Sequence, residues 1–365
     1  MRELSSSMTA SNGWPLPPPG ARLPSLLDLP ASEWGEALTS WVDVPYRIDQ
    51  LANWVFRHGI FDFAAMGNVP ISLRQQLAER CSIAPAPIES RFTSADRTRR
   101  YLLRLPDGRR IEAVYMPYRR RATLCISSQA GCRFACGFCQ TGTMGLHRSL
   151  TAGEIVGQVV RLRWDQESLQ RPVNVVFMGQ GEPLDNARAV LRAVEALQDP
   201  LGPDLSWRRI TLSTVGVVPE LRRLAGLGRK RPRLAISLNA TTDALRSRLM
   251  PINRKWPISE LLDAVNCIVW RGREQVTFEY VLLAGINDTS EDARRLGSLL
   301  STLPAKVNLI PWNRVAGMPY LRPSPQAVES FRQQVRRTGL DVLVRYSRGA
   351  DIAAACGQLA AGATG

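Results

Sequence analysis

From Ala122 onward, apolar runs of strand length alternate with segments of helical periodicity. ATLCISS, NVVFMG, RITLSTV, RLAISLN, QVTFEYVLLAG and KVNLIPWN read as strands, and EIVGQVVRLRW, ARAVLRAVEAL, PISELLDAVNCIVW and SEDARRLGSLL as helices between them. Runs rich in Val, Ile and Leu joined by long crossovers describe a parallel sheet covered by helices. Six such units, followed by helical PQAVESFRQQVRRTG and strand-like DVLVRYS, predict an α/β barrel or partial barrel rather than an open sheet. In that architecture chemistry belongs at the C-terminal ends of the strands.

The preceding stretches follow other patterns. Leu26 to Ser82 carries short amphipathic helices, as in SEWGEALTSWV and RIDQLANWVFRHGI, and predicts a small helical domain. Arg91 to Pro117 alternates apolar and polar residues around a turn at Pro106, Asp107 and Gly108, which predicts a hairpin joining the two domains. Residues 1–20 mix Ser, Gly and a proline triplet and read as a disordered arm. The expected division is therefore an arm (1–20), a helical domain (21–90), a connecting hairpin (91–121), an α/β core (122–350) and a tail (351–365).

Composition narrows the class. A chain of 365 residues that is 45% hydrophobic and 22% charged is globular, which excludes a collagenous or wholly disordered protein. No run approaches the length of a membrane span and the first residues lack a secretion signal, so a cytoplasmic protein without membrane contact is expected. Lys+Arg 47 against Asp+Glu 32 gives a formal +15, a field that favours an anionic partner, nucleic acid first. Because nearly all the cations are Arg, compositional drift explains the charge equally well.

Seven cysteines are too few for a secreted disulfide scaffold, and Cys132, Cys136 and Cys139 crowd into GCRFACGFC on the loop after the first strand of the repeating region. Three thiolates in C-x3-C-x2-C spacing can hold three irons of a 4Fe-4S cluster and leave the fourth open to a small ligand. Zinc is the competing reading. It wants a fourth Cys or His, and His147, eight residues past Cys139, fits ordinary spacings poorly. Other landmarks fall at strand ends. MGQGEP places Gly179, Gly181 and Glu182 there; glycine permits close backbone approach, and a carboxylate can hold an ammonium. Ser213 in TLSTVG, Ser237, Leu238 and Asn239 in ISLNA, and Asn313 in IPWN end later strands. Each alone reads as a strand-end cap, and their joint placement points to a ligand.

The three-cysteine loop, with Phe138 before its last Cys, resembles the signature of radical S-adenosylmethionine enzymes, and MGQGEP resembles their GGEP-type motif. RATLCISSQAGC, MGQGEP, TLSTVGVVPEL, LAISLNA, NLIPWN and the tail RGADIAAACGQLA together resemble the RlmN/Cfr family of RNA methyltransferases, from about Leu26 to Leu359. The resemblance implies a partial (β/α)6 TIM-like barrel with a small helical, RNA-binding N-terminal domain. It implies a 4Fe-4S cluster on Cys132, Cys136 and Cys139, and S-adenosylmethionine held by Gly181, Glu182, Ser213, Ser237, Leu238, Asn239 and Asn313. It further implies that Cys356 carries the methyl group, that Cys125 attacks the sulfur of Cys356 to form a transient disulfide, and that Glu112 accepts the ring proton. A thiolate on a mobile, accessible tail suits the first task.

The activity implied is methylation of adenosine C2 in 23S rRNA and in some tRNAs, with a reductase such as flavodoxin as partner and a monomeric chain. Two alternatives accompany it: C8 methylation, as in the sister branch, and a non-catalytic RNA-binding protein with a structural metal. Gln180 stands where many members carry Met, and Asn239 where His is usual. Arg97, Arg99, Arg100, Arg119, Arg120, Arg121, Arg345 and Arg348 form the basic clusters nearest the expected site, while Cys81 and Cys267 read as small buried apolar residues.

Overall fold

The computed structural model describes residues 23–165, 171–227 and 231–360, so the arm at 1–20 and the last five residues of the tail lie outside it. The first regular elements are helices α1 (Trp34–Ala37), α2 (Tyr46–His58) and α3 (Ile71–Arg80). Strands β1 (Ile88–Thr93), β2 (Arg99–Arg104), β3 (Arg110–Pro117) and β4 (Ala122–Cys125) follow. A short pair, β5 (Gln129–Cys132) and β6 (Gly145–Ser149), brackets the one-turn helix α4 (Gln140–Thr143). Beyond α5 (Ala152–Trp164) the alternation is regular: β7 (Val173–Phe177), α6 (Ala187–Gln198), β8 (Ile210–Thr214), α7 (Val218–Gly226) and β9 (Arg233–Ser237). The chain continues through α8 (Asp243–Leu249), α9 (Ile258–Asn266), β10 (Val276–Leu282), α10 (Ser290–Leu300), β11 (Ala305–Pro311), α11 (Pro325–Arg337) and β12 (Asp341–Val344). No described helix is long and apolar enough to cross a membrane.

Two compact units divide the chain. Among the described residues the first joins 23–87 to 151–165 and 188–206, so α5 and most of α6 cluster with the N-terminal helices. Its core is built on Leu26, Leu27, Trp34, Leu51, Val55 and Leu77, all essentially inaccessible to solvent. The Trp34 indole donates to Leu26 O at 2.8 Å, which satisfies the one polar atom of a side chain otherwise buried for its apolar area. Helix α5 starts with a capping box, Thr151 and Glu154 each closing on the other's backbone, and Gly153 N donates to Asp28.

The second unit holds every strand among the described residues, and one ten-stranded sheet runs β1-β2-β3-β4-β7-β8-β9-β10-β11-β12. From β4 to β12 neighbouring strands are parallel and their order never reverses, which is the singly wound order of a barrel rather than of a doubly wound sheet. Since β4 is completed on its other side by β3 and not by β12, the barrel is partial. The expected hairpin forms as β2 and β3 around the turn at Pro106, Asp107 and Gly108; β1 adds a third antiparallel strand, and the three extend this same sheet. Backbone amides at the edge of β4 would otherwise be left open, and β3 pairs them. Cys267 departs from expectation. It caps the end of α9 and is exposed, whereas Cys81 is buried as expected.

Candidate active site

At the carboxyl ends of β7 to β11 the second unit opens a cavity of about 850 Å³, its mouth included, a volume suited to a nucleoside-sized ligand. Gly181, Glu182, Ser213, Ser237, Asn239 and Asn313 all line it. Cys136 and Cys139 enter from the loop and Cys356 from the tail. Leu238 contributes no surface: its side chain is fully buried, and its amide donates to Glu279 O.

Local geometry explains the residue types. Gly181 has φ +93°, and a Cβ there would stand 2.5 Å from the Gln129 Cβ, so only glycine fits. Glu182 follows it into the cavity nearly inaccessible to solvent, its two oxygens accepting from the amides of Leu184 at 2.9 Å and Val215 at 2.8 Å. Burial pushes its carboxyl up to about 7, against these hydrogen bonds. Asn239 occupies the left-handed region at φ +58°, which Asn tolerates better than most residues. Its Oδ1 accepts from Val281 N at 2.8 Å, and its Nδ2 lies 3.2 Å from the Met250 sulfur. Asn313 donates to Ser347 Oγ at 2.7 Å and to Cys356 O at 3.3 Å, tying β11 to the tail.

The three loop cysteines face one another closely enough that Cys136 feels both Cys132 and Cys139, and burial raises all three thiols. The loop is held from several sides. Gly137 N donates to Leu249 O at 2.9 Å, and the Trp312 indole donates to Phe138 O at 3.1 Å. Among the described residues no three His, Cys, Asp or Glu side chains converge tightly enough for a single ion. In a multi-iron cluster each thiolate binds a different iron, so three thiols on one loop hold three of its irons. The donor set of three thiols beside a buried carboxylate therefore fits a cluster with one open iron.

A second, smaller cavity of about 430 Å³ adjoins the first, lined by Cys125, Met178, Arg345 and Cys356 among others. Cys356 is the residue of the tail that borders both cavities together with Met178. Burial pushes the Cys125 thiol up to about 12, with Cys356 adding to the shift and the Arg345 guanidinium opposing it. Burial likewise raises Cys356, again opposed by Arg345. All seven cysteines are free thiols. Glu112 lines neither cavity. It is buried on β3, where its Oε1 accepts from Arg100 Nη1 at 2.6 Å and its Oε2 from the amide of Ala360 at 2.7 Å.

Two expectations change here. The tail is docked through Ala360 rather than loose: Gln140 N donates to Gly357 O at 2.7 Å, and Thr141 Oγ1 to Leu359 O at 2.8 Å. The small residues of AAACGQLA permit this close packing, with Ala354 and Leu359 in the same apolar cluster as Cys125 and Val114. Nor are all the arginines near the site a solvated basic face. Arg97, Arg119, Arg120 and Arg121 are exposed, but Arg100 is buried, Arg345 lines the second cavity and Arg348 pairs with Asp96 at 3.0 Å. The motif reading also passed over Glu279, buried in the wall of the main cavity with its Oε2 lacking a partner among the described residues. Its only signal was an acidic residue inside an otherwise apolar strand, TFEYVL.

Comparison with known proteins agrees with this geometry. Residues 126–297 match the Radical SAM superfamily, and residues 25–83 match the Ribosomal RNA large subunit methyltransferase N-terminal domain. The chain is 44% identical over 361 residues to the dual-specificity RNA methyltransferase RlmN of Anaeromyxobacter sp. (strain Fw109-5), covering 97% of this chain and 94% of that protein. It is 48% identical over 316 residues to the RlmN of Geobacter sulfurreducens, covering 86% of each. A crystal structure of a radical SAM methyltransferase from Sphaerobacter thermophilus superposes with a TM-score of 0.87 at 43% identity, covering 93% of this chain and 99% of that one. Identity of this order across both units, with Cys125, Cys136, Cys139, Cys356 and Glu182 lining one pair of cavities, places the chain in the RlmN family of radical S-adenosylmethionine RNA methyltransferases.

Proposed function

We propose that this protein methylates C2 of adenosine in 23S rRNA and in tRNA, with Cys356 as the methyl carrier. The observation that carries the reading is the position of Cys356, which borders both the cavity bearing Cys136, Cys139 and Glu182 and the cavity bearing Cys125. When bound at Cys132, Cys136 and Cys139, a 4Fe-4S cluster with S-adenosylmethionine supplies the electron, the radical and the methyl groups. The chain's own residues do the rest. Glu182 offers a buried carboxylate to the amino group of S-adenosylmethionine, and Gly181 lets the backbone approach it; Ser213, Ser237, Asn239 and Asn313 complete the binding set, with Leu238 packed behind them. Cys356 takes a methyl group as a thiolate, and the resulting S-methyl carbon is the one joined to the adenine ring.

Adenine C2 is electrophilic and cannot attack a sulfonium methyl group, which is why the carbon travels by way of a protein sulfur. The adduct left by radical addition gives its unpaired electron to a one-electron acceptor, and Glu112 accepts the ring proton. The Cys125 thiol then attacks the Cys356 sulfur: the carbon–sulfur bond breaks, the methylene carbon takes the electron pair and a proton to become methyl, and a disulfide forms. A dithiol or flavodoxin-class reductant resets it. A monomer working in the cytoplasm, with residues 21–90 as an RNA-binding accessory domain, completes the proposal.

The test is nucleoside mass spectrometry of 23S rRNA and tRNA after incubation with anaerobically reconstituted protein, S-adenosylmethionine and reductant. We expect 2-methyladenosine with the native chain and none with Cys356→Ala. Formation of 8-methyladenosine would move the chain to the sister activity, and no methylation beside a normal iron–sulfur spectrum would overturn the reading.

A further inference from the structure

Arg100 looks in sequence like one of several phosphate-binding arginines, and its surroundings say otherwise. The residue is 5% exposed. Register places Phe92, Arg100, Val114 and Cys125 directly opposite one another on β1, β2, β3 and β4, so these side chains form one row across one face of the sheet. Glu112 lies two residues from Val114 on that same face. Within the row the guanidinium stacks on the Phe92 ring at 4.5 Å and ion-pairs with Glu112 at 2.6 Å. The other oxygen of Glu112 is held by Ala360, four residues beyond Cys356. One carboxylate is thus fixed on one side by a buried cation and on the other by the tail that carries the reactive sulfur.

A buried ion pair is a poor source of net stability, so the arrangement calls for another reason. We propose that Arg100 is the positioning residue of Glu112: it holds one carboxylate oxygen so that the other faces the tail and is free to take the ring proton once the Ala360 amide moves away. The inference rests on the reading of Glu112 as the proton acceptor. In that step, which follows loss of the adduct's unpaired electron to a one-electron acceptor, the ring C–H bond breaks, the proton goes to Glu112, and the bonding pair stays in the ring. Formation of the protein–RNA bond precedes the step and does not require Arg100; release of methylated RNA follows it and does.

The experiment uses reconstituted full-length protein with tRNA transcript and S-adenosylmethionine. Covalent protein–RNA adduct is read on denaturing gels and released 2-methyladenosine by mass spectrometry, for Arg100→Gln, Arg100→Lys and Glu112→Gln. Arg100→Gln should form adduct at the native level and release product more slowly, on the order of tenfold to a hundredfold, because the acceptor is misplaced. Arg100→Lys keeps the charge and should release within about threefold of the native rate. Native-rate release by Arg100→Gln, or a parallel fall in adduct formation and release, overturns the proposal, the second by assigning Arg100 a merely structural role. If Arg100→Gln does not fold, Arg100→Met is read in the same way: adduct at the native level with slowed release supports the inference, and native-rate release or a parallel fall in both overturns it. Rapid release by Glu112→Gln would instead sink the reading of Glu112 itself.

Discussion

Individual residues here owe their chemistry to burial. Glu182 holds its proton up to about pH 7 because its carboxylate is desolvated, whereas the same carboxyl in an unfolded chain releases it near 4.5. Between those values the folded protein binds a proton that the unfolded protein has lost. Stability of the ligand-free protein from this group therefore falls as pH rises through the window, by at most about 3 kcal/mol above pH 7. Glu182→Gln mimics the protonated form. Its melting temperature relative to the native chain should rise between pH 5 and pH 8, which differential scanning calorimetry of both ligand-free proteins would check. A bound ammonium reverses the sign, so affinity for S-adenosylmethionine should increase as pH rises through 7 in the native chain and stay flat in the variant, measured by equilibrium dialysis. The glutamate was legible as a motif residue, but its perturbation was not. That depends on burial in the folded cavity, which outweighs the hydrogen bonds from Thr214 and Val215 that pull the other way.

Among the elements, the carboxyl ends of the strands and the docked tail decide what meets what. A methyl group at Gly181 has no room against Gln129 and demands a backbone conformation that Ala disfavours. Gly181→Ala should displace the Glu182 loop and abolish S-adenosylmethionine binding, and the variant should melt lower by a few degrees. Thr141 ties α4 to the tail through one hydrogen bond worth about 1 kcal/mol. Thr141→Val should loosen the segment Gly357–Ala360 and speed its cleavage by carboxypeptidase several-fold, followed by mass spectrometry. The strands and most helices from Ala122 onward were readable because burial on both faces writes a continuous apolar run. The docking of the tail was not, because AAACGQLA holds no periodic pattern and its partners, Gln140, Thr141 and Glu112, lie more than two hundred residues earlier.

For the whole molecule, the formal +15 is the relevant quantity, and exposed Arg97, Arg119, Arg120 and Arg121 contribute to it on the second unit. Binding of tRNA should weaken with salt along a straight line of log affinity against log concentration, losing about tenfold or more between 50 and 200 mM. Fluorescence anisotropy with labelled transcript would measure the slope, and Arg119→Ala with Arg120→Ala should make it shallower. By itself the sequence determined the fold class, the three-cysteine loop and the family, since each is written in local pattern: strand and helix periodicity, cysteine spacing, short motifs at strand ends. Only the tertiary structure decided which arginines are free for RNA and which are not, that β1 to β3 extend the barrel sheet, and that Cys356 stands between two cavities. Those facts turn on register and burial between segments distant in the chain, and a one-dimensional pattern carries neither.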